Sequence, residues 1–393
     1  MHYETRLLTT GRDPEAYQGV VNTPVFHAST VVFPTVAALQ ERQKDLTRGV
    51  LYGRLGTPTT FAFEEAMTTA EGGFRSVAAP SGMAAIAIAL LGLLKTGDHL
   101  LCVDTLYDPA RYFINDTLIR YGVEVTYYPP EIGAGIAALI KPNTRVVYCE
   151  SPGSGSFEIQ DIPAIAAVAH EAGAMVVLDN TWASPLYFKP FEHGVDVSIQ
   201  AATKYIVGHS DAELGSLTAT EEAYPLVKRQ AMRLGICVGP DDCYLGMRGL
   251  RTLATRLPRH QDSAMRSARW LQEQPEVEQV LYPALPGAPG HEIWKRDFLG
   301  ATGLFGVALR EGIASESMIA MLDNRKLFKI GFSWGGYESL LMPSDPAHSH
   351  PNTPWRYKGP CFRVNVGLEH VDDLLADLEA GFEAMRNHQK QTV

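Results

Sequence analysis

The chain has no surplus of positive charge: 34 lysines and arginines stand against 44 aspartates and glutamates, a formal net charge of −10. Such a balance gives no general attraction to a nucleic-acid backbone, so no nucleic-acid partner is expected. Cysteine is scarce as well. The five residues Cys102, Cys149, Cys237, Cys243 and Cys361 are odd in number, widely spaced and free of any C-x-x-C pair. That excludes a disulfide framework and a thiolate zinc site, leaves no metal to expect, and suits reduced thiols in a cytoplasmic protein. Long apolar runs are missing. The longest, Ala84 to Leu94, is too short to span a bilayer and suits a buried helix, so no membrane partner is expected. The opening Met1-His2-Tyr3-Glu4-Thr5-Arg6 lacks the apolar centre of a secretory signal. Repeats, low-complexity tracts and heptads are also absent, which removes solenoids and coiled coils.

What is present reads as an ordinary globular enzyme-sized chain. Its 393 residues, 46% of them hydrophobic and 20% charged, exceed what one core usually accommodates, so two domains are expected. Residues 1–56 are polar and turn-rich, yet carry Val20, Val21, Val25, Phe26, Val31, Val32 and Phe33. An arm of that composition packs on something, and a neighbouring subunit is one candidate. Over 57–250, apolar strands near 76–79, 100–103, 123–128, 145–150, 174–179, 197–200 and 214–219 alternate with helical stretches at 83–95, 110–121 and 163–172. This is the pattern of an α/β domain with a mostly parallel sheet covered on both faces, the last strand running against the rest. Residues 251–393, with long helices at 250–274 and 371–387 and strands at 303–309 and 362–366, read as a smaller α+β domain.

Two strand ends draw the eye. Met175-Val176-Val177-Leu178 stops at Asp179, and Ser198-Ile199-Gln200 leads through Ala201-Ala202-Thr203 to Lys204. In open α/β sheets ligands bind beyond the carboxyl ends of the strands, and a desolvated lysine there becomes a nucleophilic amine. The plainer reading is a pair of solvated loop charges. Ala79-Pro80-Ser81-Gly82-Met83 turns from strand to helix, and the amides of Gly82 and Met83 then either face an anion or merely open a helix capped by Ser81. Tyr107 follows a strand and either covers a ligand or sits half-buried in a loop. Tyr52-Gly53-Arg54 offers a hydroxyl and a guanidinium suited to phosphate, or a surface turn. Arg363 lies among alternating apolar residues in Phe362-Arg363-Val364-Asn365-Val366, so its guanidinium faces either a ligand carboxylate or an internal acid. Gly133-Ala134-Gly135-Ile136-Ala137-Ala138 matches G-x-G-x-x-A formally, but follows Tyr127-Tyr128-Pro129-Pro130 and reads as a capping loop, which leaves a nicotinamide dehydrogenase without support.

Together these residues resemble the Cys/Met-metabolism family of pyridoxal-phosphate enzymes. The resemblance spans the chain through Thr23-Pro24, Tyr52-Gly53-Arg54, Ser81-Gly82-Met83, Glu150-Ser151-Pro152, Asp179-Asn180-Thr181, Ala202-Thr203-Lys204-Tyr205 and Arg363. It implies the PLP-dependent transferase fold type I, aspartate-aminotransferase-like, and pyridoxal 5'-phosphate (PLP) as cofactor. Lys204 would hold the cofactor and move the Cα proton, Asp179 would pair with the pyridine nitrogen, and Tyr107 would stack on the ring. Gly82, Met83 and Thr203 would bind the phosphate, with Tyr52 and Arg54 reaching it from a neighbouring subunit of a homotetramer. Ser333, Trp334 and Arg363 would hold the substrate, an amino-acid thioether. Within the family, Gln200 to Tyr205, Gly208-His209-Ser210-Asp211 and Ser333-Trp334-Gly335-Gly336-Tyr337-Glu338-Ser339-Leu340 resemble the branch that cleaves at Cβ. Gly153-Ser154-Gly155 after Glu150-Ser151-Pro152 departs from the Asn-Pro seen in many γ-acting relatives, and Ala201 replaces a serine found in many others. A γ-acting enzyme and a non-catalytic ligand-binding regulator on the same scaffold are the alternatives.

Overall fold

Seven short strands, all but an edge strand apolar enough to be buried on both faces, assemble into one sheet in a computed structural model that describes residues 1–323 and 325–392. They are β1 (Arg75–Ala79), β2 (His99–Val103), β3 (Glu124–Tyr128), β4 (Thr144–Glu150), β5 (Met175–Asp179), β6 (Val197–Gln200) and β7 (Gly215–Ala219), in the order β1-β7-β6-β5-β4-β2-β3. Only β7 runs antiparallel, to both β1 and β6, as the sequence suggests. Among the helices around the sheet, Gly82–Leu93 is apolar all round and buries Ala85, Ile86, Ile88, Ala89 and Leu90, which explains the long apolar run.

The register decides where the chemistry can be. Glu150 stands opposite Asp179, and Asp179 opposite Ile199, so β4, β5 and β6 end together at one edge. The G-x-G segment falls in short 3-10 turns, Pro130–Leu139, beyond edge strand β3. It opens no α-helix there, so it has no means of presenting a helix N-terminus to a pyrophosphate.

A second sheet, fully antiparallel in the order β10-β11-β9-β8, is built from β8 (Val277–Leu281), β9 (Leu304–Leu309), β10 (Leu340–Ser344) and β11 (Cys361–Asn365). The sequence reading finds β9 and β11 but not β8 or β10. Val277-Glu278-Gln279-Val280-Leu281 does not alternate cleanly, and β10 contains Pro343, which is tolerated because β10 is an edge strand. The helix expected from 250 starts earlier, at Pro240, and runs to Gln272, passing through the expected boundary between the two units. Several bonds fasten the units, three of them at Trp182 and Tyr205. The Gly303 amide donates to the Tyr205 hydroxyl at 2.9 Å, Trp182 Nε1 to the Leu304 carbonyl at 2.9 Å, and Arg256 Nη2 to the Tyr205 carbonyl at 2.8 Å.

The N-terminal arm holds more regular structure than its sequence suggests, with helices at Tyr3–Thr9 and Val36–Gln43. Leu7 is buried and the Tyr3 hydroxyl lies 2.9 Å from the carbonyls of both Ala70 and Pro185, so its start packs on its own chain. Val20, Val21 and Val32 remain exposed, Val32 at 89%.

Candidate active site

Beyond the shared edge of β4, β5 and β6, the chain turns back on itself so that Asp179, Lys204 and Arg363 come into one region. Asp179 is the last residue of β5 and is buried. Burial holds its carboxyl above the ordinary range, while the Thr181 amide, donating to Oδ1 at 3.0 Å, and the Lys204 charge pull it back. A carboxylate so placed can accept from a protonated ring nitrogen.

Lys204 follows β6 in a tight turn: its amide donates to the Ala201 carbonyl at 3.0 Å, and the Thr203 amide to Leu214 at 2.9 Å. Its Nζ donates to Ser333 Oγ at 2.6 Å and sits 5.4 Å above the Trp334 ring. Burial first, and the Arg363 charge second, bring the amine down to about 8, against the pull of Glu213 and Asp179. That places it within reach of the uncharged form a nucleophile or base requires.

A pH dependence follows from this. Because the amine's affinity for protons is lower folded than unfolded, the protonated form is the one that folding penalises. The penalty is fully present below pH 8 and is relieved as pH rises from about 8 towards the ordinary 10.5. The full penalty is about 3 kcal/mol, and about 2 kcal/mol of it disappears between pH 7 and 9.5. In urea unfolding of the cofactor-free protein, the stability gap between Lys204→Met and wild type is expected to narrow by that amount over this interval. A gap that stays constant with pH would refute the buried-amine account.

Arg363 reaches the same place from β11. Its Nη2 donates to the Ser333 carbonyl at 2.9 Å and approaches Met342 Sδ at 3.4 Å. Among the described residues no carboxylate oxygen pairs with it within 4.0 Å. Of the two partners weighed from sequence, the internal acid is therefore not present, and a carboxylate from a ligand fits the free fork. Ser333 serves both cations, its hydroxyl to Lys204 and its carbonyl to Arg363, and it is held in the left-handed region at φ 72°. Gly335, at φ 83°, lets this segment pass the Lys204 backbone, where an added Cβ would stand 3.1 Å from the Lys204 carbonyl carbon.

The turn at Ser81 closes the far side. Ser81 caps its helix by accepting from the Ala84 amide at 3.1 Å, and the first-turn amides of Gly82 and Met83 have no intrahelical acceptor to bond. A Cβ on Gly82 would meet Ala201 Cβ at 2.5 Å, so this helix start and the loop before Lys204 are pressed together. The Thr203 hydroxyl bonds Glu213 and Leu214, each at 3.1 Å, and would have to exchange one of them for a phosphate. Tyr107 is 44% exposed beside these groups. Tyr52 and Arg54 are not brought to them within one chain: Arg54 Nη1 donates to the Met232 carbonyl at 3.0 Å and the Tyr52 ring is largely exposed.

Sequence reasoning assigns Glu150 no task. Its Oε2 accepts the Tyr107 amide at 2.8 Å, fixing the loop that carries that ring, and burial and Asp179 hold its carboxyl well above the ordinary range. Its position at the end of β4, in register with Asp179, is the signal that finds it.

This donor set fits PLP: a buried carboxylate for the ring nitrogen, an amine of lowered basicity, and a helix start suited to a phosphate. Comparison with known proteins agrees. Residues 4–383 match the family described as Cys/Met metabolism PLP-dependent enzyme. The chain is 49% identical over 387 residues to a putative cystathionine β-lyase of Rhizobium johnstonii, covering 97% of this chain and 96% of that one. It is 42% identical to cystathionine β-lyase MetC of Escherichia coli, covering 96% and 98%. Among solved structures, MetB of Corynebacterium glutamicum superposes with a TM-score of 0.88 at 32% identity, covering 98% of each chain.

Proposed function

The chain belongs to the family of Cys/Met metabolism PLP-dependent enzymes, and from that premise we propose that it cleaves L-cystathionine at Cβ, giving homocysteine, pyruvate and ammonia with the uptake of water, as a step of methionine biosynthesis. The observation that carries this is the pair of cations joined through Ser333: a fork free for a carboxylate beside an amine of lowered basicity.

When bound, PLP supplies the electron sink that lets a Cα–H bond break. Arg363 holds the substrate α-carboxylate and so fixes where Cα lies. Lys204, after giving up its place to the substrate amine, takes the Cα proton, and Ser333 keeps it on line with both. The Cβ–S bond then breaks, and the sulfur leaves as the thiol of homocysteine with the proton that Lys204 would return to it. Asp179 would serve as the acceptor for a protonated ring nitrogen, with Thr181 orienting that carboxylate, and Glu150 holds the loop that carries Tyr107. Gly82, Met83 and Thr203 take the phosphate, and Trp334 walls the substrate side.

Tyr52 and Arg54 enter this proposal as residues of a second copy, since neither is joined to the Lys204 cluster of its own chain. The exposed Val20, Val21 and Val32 of the arm suit burial against that copy. The assembly proposed is a homotetramer of two such dimers in the cytoplasm. No helix among the described residues is long and apolar enough to cross a membrane.

Cystathionine discriminates between this reading and a γ-acting one, because cleavage on the other side of sulfur gives 2-oxobutyrate instead of pyruvate. Pyruvate is expected to account for nearly all of the keto acid released by the PLP-loaded enzyme. Predominant 2-oxobutyrate would transfer the assignment to a γ-lyase.

A further inference from the structure

A cavity of about 330 Å³ lies where the two units meet, and none of the residues assigned above lines it. The large unit contributes Pro129, Pro130 and Ser156 to Glu158, while the small unit contributes Leu281 to Pro283 and Thr353 to Tyr357. Five prolines stand in its wall, at 129, 130, 283, 289 and 354. Proline has no amide N–H, so at those positions the backbone offers only carbonyl acceptors. The side chains add two carboxylates, Glu131 and Glu158, and the one arginine on the wall is already committed: Arg356 Nη2 donates to Glu131 Oε1 at 3.0 Å.

Glu158 is left as an unpaired charge. No nitrogen of a lysine, arginine or histidine among the described residues pairs with it within 4.0 Å; its Oε2 lies beside Gly153, shut off from solvent and from the open volume with no hydrogen-bond partner, while the residue itself lines the cavity. Burial raises its carboxyl above the ordinary range and the Glu131 charge pushes the same way, against the pull of the Ser156 side chain, its own amide and the Arg356 charge. Aromatic residues share the lining: the Trp355 and Tyr357 rings pack edge-on at 5.3 Å and 73°. A smaller cavity of about 200 Å³ shares Glu131, Glu158 and Pro289, so the carboxylates stand between two open volumes.

The lining therefore sets two carboxylates, proline carbonyls and aromatic rings against a single arginine, already paired with Glu131, and a few hydroxyl and ring donors such as Ser156, Thr353 and Trp355. A molecule that satisfies it must supply donors and positive charge on an apolar body. We propose that this cavity binds a small organic ammonium compound bearing an apolar or aromatic group, with Glu158 as the counter-ion and Trp355 as the packing face. The site is separate from the PLP chemistry and does not depend on which thioether the enzyme cleaves.

N,N-dimethylphenethylamine is a suitable probe. As a tertiary amine it cannot condense with the carbonyl of the cofactor, so an unchanged cofactor absorbance shows that it has bound elsewhere. Titrated into the PLP-loaded enzyme by calorimetry and tryptophan fluorescence, it is expected to bind with a Kd of about 1 mM or tighter, in keeping with a ligand of about 11 non-hydrogen atoms. Glu158→Gln keeps the shape and removes the charge, and is expected to weaken binding at least about tenfold; Trp355→Leu should do the same. On the wild type, the neutral 2-phenylethanol should bind at least about tenfold more weakly than the amine. The proposal is overturned if the wild type takes up no amine, if alcohol and amine bind equally, if Glu158→Gln binds as wild type does, or if cystathionine displaces the probe.

Discussion

Lys204→Ala is expected to lower pyruvate release from cystathionine by about 10⁴-fold or more and to abolish the visible absorbance that arises when the cofactor is joined to the protein. The size follows from a double duty. In the proposed mechanism the same amine anchors the cofactor and moves the Cα proton, and groups that act as one unit lose nearly everything together when one is removed. No other lysine is placed to take over. Lys228 is buried against Glu64 at 2.9 Å, and Lys189 donates to the Pro185 carbonyl beside the Tyr3 ring. The substitution also removes a buried amine whose charge folding penalises, so the variant should fold, and the loss cannot be ascribed to unfolding. Circular dichroism and urea unfolding check that point, and pyruvate release at the wild-type rate would end the assignment of Lys204.

Arg363→Ala is expected to reduce kcat/KM for cystathionine by about 10² to 10⁴-fold, the cost of about 3–5 kcal/mol for removing one partner of a buried charge pair. Among the described residues no acid pairs with its fork, and in the proposed mechanism the substrate supplies that carboxylate. Since Arg363 fixes where Cα lies relative to Lys204, the loss should appear in kcat as well as KM. Arg363→Lys should recover only a small part of it, because an ammonium does not reproduce two parallel N–H donors. Cofactor absorbance should remain in both variants, which separates this defect from that of Lys204→Ala. A kcat/KM for Arg363→Ala within about threefold of wild type would show that the carboxylate is held elsewhere.

Much of this site is legible along the chain. Asp179 ends an apolar strand of the mostly parallel sheet and Lys204 follows another, β6, by a short turn, at the edge where ligands bind. The Gly82 turn announces a helix start, and Arg363 stands out because its neighbours Phe362 and Val364 are apolar and buried. Other parts are not legible. Ser333 and Lys204 are 129 positions apart, and nothing local in either segment states that a hydroxyl on one meets an amine on the other. Glu150 is visible in a motif, but its bond to the Tyr107 amide links two loops 43 positions apart. Strands β8 and β10 escape notice because their burial comes from the sheet they join and not from a pattern of their own.

The sequence by itself determined the class of sheet, the strand ends that carry acid and amine, and the lack of any framework for disulfides or membrane spans. These are consequences of periodicity and residue type, which act over a few residues. Only the tertiary structure decided that one serine would serve two cations, that Arg363 would lack an internal acid among the described residues, and that a proline-lined cavity with two carboxylates would open between the units. Those depend on how two separately built sheets dock, and docking brings together groups whose spacing along the chain carries no trace of their distance in space.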